Sequence, residues 1–210
     1  GDPGLTEAFL RGEDIHRNTA AQIFDTPPLL VTGEQRAVGK TINFGVTYGM
    51  GQLRLSRSLG ISRAEAKQHI ETYFQKYSAV KSYFETLVDE AKRTGYAETI
   101  LGRRRPIPQL TSLQRNLRAL GERLAINTPI QGSAADIMKR AMVNIHRRVR
   151  VDGLEAQMLM TVHDELVFEC PPDEVDVLRT IVVEEMQNAV PISVPLVIDT
   201  GVGENWLEAK

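Results

Sequence analysis

The chain has 210 residues, of which 42% are hydrophobic and 25% charged, and its formal net charge is −2. These values predict an ordinary soluble globular protein with a real core and one or two domains. No stretch is apolar enough to span a membrane, the N-terminus lacks the features of a signal peptide, and one cysteine, Cys170, excludes a disulfide framework, so we expect a reducing cytoplasm.

The first 30 residues predict two helices and a loop. A short helix precedes Arg11-Gly12, and Asp14 is a good N-cap for a second helix from Ile15 to Phe24. His16 lies in the first turn of that helix, where it is either a surface histidine or part of a site. Pro27-Pro28 then forms a loop.

Residues 32–48 form the most informative helix of the chain. Thr32 with Gln35 makes a capping box at its start. The spacing of four residues places four side chains on one face over roughly 18 Å, and an apolar face lies opposite. Two cations near the N-terminal end suit a polyphosphate, and two rings further along suit a base and a sugar. An ordinary amphipathic surface helix is the alternative. The four side chains are Arg36, Lys40, Phe44 and Tyr48.

Glycine occurs twice inside this helix, at Gly39 and Gly45, although each costs about 1 kcal/mol relative to alanine. We therefore expect another group to approach the helix backbone closely. Further along, Ser62 with Glu65 begins a long helical pattern that breaks near Tyr77 and ends at Gly95, with core aromatic residues.

A basic region follows. A short strand over 97–101 leads into a basic loop, Gly102 to Pro106, whose arginines contact either a polyanion or solvent. We predict a helix from Thr111 to about Asn127, and a second one capped by Thr128 that runs to about Val151. In that second helix Gln131 is at position N3, where its side chain can complete a capping box with Thr128.

The segment 156–170 predicts two strands joined by a tight turn at His163-Asp164. Tight hairpins favour Asn-Gly or Asp-Gly at the turn, because the central residues need positive φ. A poor turn sequence that carries His-Asp-Glu at its tip suggests a site, since adjacent acids can hold a hard cation such as Mg²⁺. An exposed polar hairpin tip is the alternative. A last helix over 174–189 and a last strand over 196–202 complete the pattern.

Charge is distributed unevenly along the chain. Residues 102–150 carry eleven Lys and Arg against two acids, and residues 151–210 carry two against thirteen acids. A basic region beside an acidic one suits a protein that holds a polyanion and also binds divalent metal. For the charge pattern alone, a solvated charged face is the simpler explanation.

Several of these segments, in this order, resemble the family A DNA polymerases, the bacterial polymerase I type. RAVGKTINFGVTYG is similar to their motif B and VHDEL to their motif C, and the blocks DIHRNTA, GYAETILGRRR and NTPIQGSAADIMK resemble segments near these two. The resemblance implies a mostly helical α+β fold: residues 15–95 as helical fingers, 96–210 as the C-terminal part of an antiparallel-sheet palm with a catalytic β-hairpin, and 1–14 as their junction.

The resemblance also implies roles for individual residues in DNA synthesis. Arg36 and Lys40 would hold the phosphates of an incoming dNTP, with help from His16. Phe44 would stack near the sugar and base of the dNTP and favour rejection of dideoxynucleotides. Tyr48 would place the template base. Asp164 would bind metal, one of two Mg²⁺ ions, with Glu165 as a secondary acid, and Lys40 would neutralise the leaving group. The residues that would contact primer-template DNA are Arg103, Arg104, Arg105, Arg123, Asn127, Gln131 and His163.

One family element has no counterpart in this sequence. The second metal-binding aspartate of the family lies in motif A, on a strand that precedes the segment corresponding to Gly1. We therefore expect a monomeric C-terminal fragment that lacks motif A, the thumb and the exonuclease domains, needs the N-terminal part of the polymerase, and is inactive alone. The alternatives are a single-subunit phage-type RNA polymerase and a non-catalytic DNA-binding relative.

Overall fold

The computed structural model describes residues 1–209 as a mostly helical α+β fold with two small antiparallel sheets. The chain divides into two compact units, residues 1–133 and 134–210. Among the described residues, no helix has both the length and the apolar character that a bilayer crossing demands.

The first unit begins with six helices. The first two, α1 and α2, begin at the side-chain N-caps Asp2 and Asp14, and α3 and α5 begin with the predicted capping boxes at Thr32 and Ser62. The sequence did not predict α4, which is short and polar and whose Leu55 is fully buried. The six helices are α1 (Pro3–Leu10), α2 (Ile15–Ile23), α3 (Gly33–Thr47), α4 (Gln52–Leu59), α5 (Arg63–Lys76) and α6 (Ser78–Thr94).

The core of these helices is apolar and aromatic. Ile42 and Val46 of α3 are buried against Leu55, Tyr73 and Tyr77, which confirms the predicted apolar face of α3 and the core position of the aromatic residues. Burial of side chains of this size contributes about 1.5–3 kcal/mol each. The polar face of α3 therefore remains directed away from this core.

The predicted basic loop is in fact part of a hairpin. Strand β1 (Tyr96–Glu98) pairs antiparallel with β2 (Arg104–Pro106), and Gly102 adopts φ +79° in the turn. Arg104 donates from Nε to Glu98 Oε2 at 2.7 Å and stacks on the Tyr96 ring. These cross-strand contacts favour the hairpin over an irregular loop.

Two other boundaries were predicted wrongly. Helix α7 (Arg115–Asn127) begins at Arg115, because Thr111 ends a 3₁₀ turn (Pro108–Thr111). Thr128 is not an N-cap: it has helical dihedral angles and no capping hydrogen bond. A π-helical turn (Thr128–Gly132) joins α7 to α8 (Ser133–Val151). Pro129 lacks the N–H that a regular α-helix needs there, and a widened turn accommodates it.

The second unit contains most of α8, the hairpin β3 (Gln157–Val162) and β4 (Glu165–Glu169), and α9 (Val175–Gln187). Its core packs Ile145 of α8 against Ile181 of α9. The carboxylate of Glu174 accepts hydrogen bonds from the backbone N–H groups of Glu155 and Ala156, just before β3. The predicted last strand over 196–202 is wrong, because no described residue pairs with it in a ladder.

Gly39 allows α2 to approach α3 closely, as the sequence suggested. A Cβ atom at this position would lie 2.2 Å from the His16 carbonyl oxygen and 3.0 Å from the Ala20 nitrogen. Both neighbours are backbone atoms, so the two helices would have to separate. The close approach brings the first turn of α2 beside the polar face of α3.

We expect Gly39→Ala to destabilise the first unit despite the better helix propensity of alanine. Overpacking typically costs about 1–3 kcal/mol, and the propensity gain is at most about 1 kcal/mol. Gly33→Ala in the same helix is the matched control, because nothing lies within 4 Å of its Cβ position. Urea unfolding measures both variants; equal stability of the two would contradict the close-approach explanation.

Candidate nucleotide site on α3

The four predicted side chains lie along one face of α3. Phe44 is 45% exposed and Tyr48 37% exposed, although residues of this size are usually buried. Their rings are nearly parallel, at 13°, with centroids 6.1 Å apart. Lys40 Nζ lies 6.0 Å from the Phe44 ring centroid. The face therefore presents a cation and two flat apolar surfaces in sequence, which can take an anion followed by a planar group.

Arg36 is anchored at the N-terminal end of this face by α2. Its Nε donates to Asp14 Oδ2 at 2.6 Å, and Asp14 Oδ1 accepts from the backbone N–H groups of His16 and Arg17. Burial alone would raise the pKa of Asp14, but the hydrogen bonds from Arg36 and these N–H groups outweigh it, so the pKa lies below its usual value. Asp14 thus remains charged and holds the guanidinium in place.

His16 faces the same site from α2. Its ring centroid lies 5.5 Å from that of Phe44, with the planes tilted by 47°. Burial lowers the pKa of His16; Asp14 raises it, and Arg36 and Lys40 lower it further, with a net decrease. The histidine is therefore neutral around pH 7 and can act as a hydrogen-bond donor rather than as a third cation.

Asn43 was missed by the sequence analysis. It is buried at 6% exposure on α3, and its Nδ2 lies 3.0 Å from His16 Nδ1 and 3.2 Å from the Ile15 carbonyl oxygen. A polar residue between Ile42 and Phe44 in an otherwise apolar segment is the only local signal for it. Its partners lie 27 and 28 residues earlier in the chain, so their proximity follows from the fold alone.

Several predicted DNA-contacting residues line one cavity of about 290 Å³ in the first unit. Arg103, Arg105, Asn127 and Gln131 contribute to its wall. Asn127 Oδ1 and the neighbouring Thr128 Oγ1 are buried without a hydrogen-bond partner among the described residues. Buried polar atoms without partners are uncommon; the Asn127 amide oxygen can only accept a hydrogen bond, whereas the Thr128 hydroxyl can donate or accept one.

The remaining predicted residues occupy other places. Arg123 on α7 lies next to the end of α3, because a Cβ atom built on Gly49 would be 3.4 Å from Arg123 Cγ. In the second unit, His163, Asp164 and Glu165 are exposed at the tip of the β3–β4 hairpin. His163 has φ +56°, a conformation with a cost of order 1–3 kcal/mol for a non-glycine residue. The turn predicted from the sequence is confirmed.

The hairpin tip carries two adjacent exposed carboxylates, those of Asp164 and Glu165. Its carboxylates suit Mg²⁺, which usually binds one or two protein carboxylates together with substrate phosphates. Among residues 1–209, no group of three or more acidic, histidine or cysteine side chains converges to form a metal site.

Comparison with known proteins places the chain in a class. The sequence profile of DNA polymerase family A matches residues 1–208, and the chain belongs to this family. It is 47% identical to the thermostable DNA polymerase I of Thermus filiformis and 46% identical to DNA polymerase I of Bacillus caldotenax, in each case over 100% of this chain. These alignments cover 25% and 24% of the relatives, so the chain spans about a quarter of their length.

A solved structure shares the fold. The polymerase domain of Pol1 from M. smegmatis, in complex with DNA primer-template and dNTP, aligns with a TM-score of 0.95 and 44% identity. The alignment covers 99% of this chain and 37% of that one. The predicted α+β fold of this polymerase class is thereby confirmed.

Proposed function

We propose that this chain supplies the nucleotide-binding helix and the catalytic hairpin of an enzyme that performs template-directed DNA synthesis. The observation that carries the proposal is the exposed face of α3, where Arg36, Lys40, Phe44 and Tyr48 lie in order within a family A sequence. We further propose that residues 15–95 act as fingers and 96–210 as part of the palm, with 1–14 joining them.

The proposed dNTP lies along α3 with its phosphates toward the helix N-terminus. Arg36, held by Asp14, and Lys40 neutralise the phosphates, and charge-assisted hydrogen bonds of this kind contribute about 1.5–3 kcal/mol each. Phe44 stacks near the sugar and base, and Tyr48 contacts the template base. We call these four side chains, Arg36, Lys40, Phe44 and Tyr48, the clamp. It would fix the α-phosphate relative to the primer end, and such positioning is the main contribution that a protein makes to phosphoryl transfer.

The proposed primer-template DNA contacts the first unit at its arginines and at the cavity beside the β1–β2 hairpin. Arg103, Arg104 and Arg105 contact phosphates, while Arg123, Asn127 and Gln131 face the minor groove. The unpartnered amide oxygen of Asn127 supports this assignment, because it can accept a hydrogen bond from the amino group that guanine presents in the minor groove. His163 would lie near the primer end.

The proposed metal ligand of this chain is Asp164, with Glu165 beside it. Two Mg²⁺ ions, when bound, would make the primer 3′-hydroxyl more acidic and neutralise the triphosphate. The second carboxylate would come from the part of the polymerase that corresponds to motif A. The proposed partners are thus dNTPs, primer-template DNA and that remaining part of a monomeric enzyme, acting in the bacterial cytoplasm, as the bacterial relatives suggest.

Primer extension tests the proposal. We expect the polymerase that contains this chain to extend a DNA primer with dNTPs and Mg²⁺, and to discriminate against ribonucleotides. The isolated 210 residues, which lack a second metal-binding aspartate element, should not extend it. Preference for ribonucleotides would favour the RNA polymerase alternative. Robust extension by the isolated chain would contradict the proposal that this chain supplies only one of the two metal-binding aspartates.

A further inference from the structure

Buried hydrogen bonds between α2 and α3 determine which nitrogen of His16 carries the proton. Asn43 Nδ2 lies 3.2 Å from the backbone oxygen of Ile15, a group that can only accept. The amide of Asn43 must therefore direct its NH₂ group, rather than its oxygen, to this side. Its second N–H then reaches His16 Nδ1 at 3.0 Å.

A second contact supports this orientation of Asn43. The Thr19 hydroxyl lies 3.0 Å from Asn43 Oδ1 and 2.9 Å from the Ile15 carbonyl oxygen, so Asn43 Oδ1 is one of two acceptors for its single proton. Thr19 is buried, with 3% exposure. The amide is thus fixed at both ends in a network shielded from water, where misdirected polar groups are costly.

The consequence for His16 follows from the chemistry of imidazole. A nitrogen that accepts a hydrogen bond carries no proton, so the proton of the neutral ring is on Nε2. Nε2 has no hydrogen-bond partner among the described residues. It is the donor that the ring leaves available on the side of α2 that faces Arg36 and Lys40.

We propose that Asn43 is a positioning residue that keeps His16 in the Nε2–H tautomer, so that this N–H donates to a triphosphate oxygen. The tautomer follows from the contacts above; the donation to triphosphate rests on the proposed nucleotide site. The charged groups that act on His16 are Asp14 at the start of α2 and Arg36 and Lys40 from α3. A neutral donor beside two cations adds a directional hydrogen bond without further charge repulsion.

The tautomer is measured without nucleotide, in the complete polymerase, by NMR of the ¹⁵N-labelled imidazole. We expect His16 in the wild-type protein to show an unprotonated Nδ1 and a protonated Nε2 near pH 7. Asn43→Asp is the matched variant, because its carboxylate accepts where the amide donated. It should protonate Nδ1 and raise the pKa of His16. A protonated Nδ1 in the wild-type protein would overturn the inference, whatever nucleotide binding shows.

The role in binding is measured by a double-mutant cycle on dATP affinity. We expect His16→Ala and Asn43→Ala each to weaken binding about three- to tenfold, the effect of one net hydrogen bond. If Asn43 acts through His16, the double variant binds no more weakly than His16→Ala alone. A further loss of dATP affinity in the double variant would show that Asn43 acts independently of His16, in a merely structural role, and would overturn the proposal.

The two levels of failure are distinguishable. The expected tautomer together with unchanged dATP affinity in both single variants would overturn the contact between His16 and the phosphates, and with it the functional half of the inference. Loss of dATP binding from Lys40→Ala in the same assay would show that the nucleotide site itself stands. Asn18→Ala, which removes an exposed amide of α2 bonded to Glu13, controls for general effects on that helix.

Discussion

Asp164→Asn in the complete polymerase is expected to lower the rate of nucleotide incorporation on the order of 10³-fold, because a lost metal ligand removes several kcal/mol of transition-state stabilisation. Asparagine keeps the shape of the side chain at the hairpin tip but removes its charge. Rapid-quench kinetics with saturating dNTP measure the effect. Primer-template affinity should be equal or slightly higher, since the substitution removes a negative charge near DNA.

Two controls separate metal binding from hairpin stability. Glu165→Gln changes the neighbouring acid and should cost much less than Asp164→Asn. Glu169 lies at the other end of β4, opposite Gln157. Glu169→Gln should therefore leave the rate of incorporation unchanged. Incorporation by Asp164→Asn within tenfold of the wild-type rate would show that Asp164 is not a metal ligand.

Lys40→Ala is expected to impair both dNTP binding and chemistry. Loss of a charge-assisted phosphate contact should weaken dNTP binding about ten- to a hundredfold. If Lys40 also protonates the pyrophosphate leaving group, the chemical rate should fall by a further factor of about 10² or more. Single-turnover kinetics at varied dNTP concentration resolve the two effects.

Lys40→Arg is the matched control for this prediction. Arginine keeps the positive charge but does not release a proton near neutral pH. It should therefore retain most of the dNTP affinity and lose much of the chemical rate. If Lys40→Ala loses only ground-state affinity and keeps its full chemical rate, the proton-transfer role is wrong and Lys40 acts through charge alone.

Local signals in the sequence predicted the starts of α2, α3 and α5 correctly. The capping boxes at Thr32 and Ser62 involve residues three positions apart, so the chain itself contains all the information about them. The same holds for the separation of α3 into an apolar face around Ile42 and an exposed face that includes Phe44. The turn at His163 was predicted because its unusual composition is itself a local signal.

Features that depend on distant residues were missed or predicted wrongly. Threonine is favoured at N-caps, but at Thr128 the preceding helix continues as a π-helical turn. Arg104 lies in a strand opposite Glu98, and its guanidinium also contacts the Tyr96 ring of the same neighbouring strand. The role of Asn43 depends on the backbone of α2, which only the close approach at Gly39 brings within reach.

The most direct test of the nucleotide site is an NMR titration of this chain with dATP and, separately, with deoxyadenosine. We expect dATP to shift the side-chain resonances of Arg36, Lys40 and His16, and deoxyadenosine at the same concentration to affect the ring of Phe44 without those three. Such a result would assign phosphates and base to opposite ends of α3. Shifts confined to Arg103–Arg105, or equal shifts at Lys40 with and without phosphates, would contradict the proposed clamp.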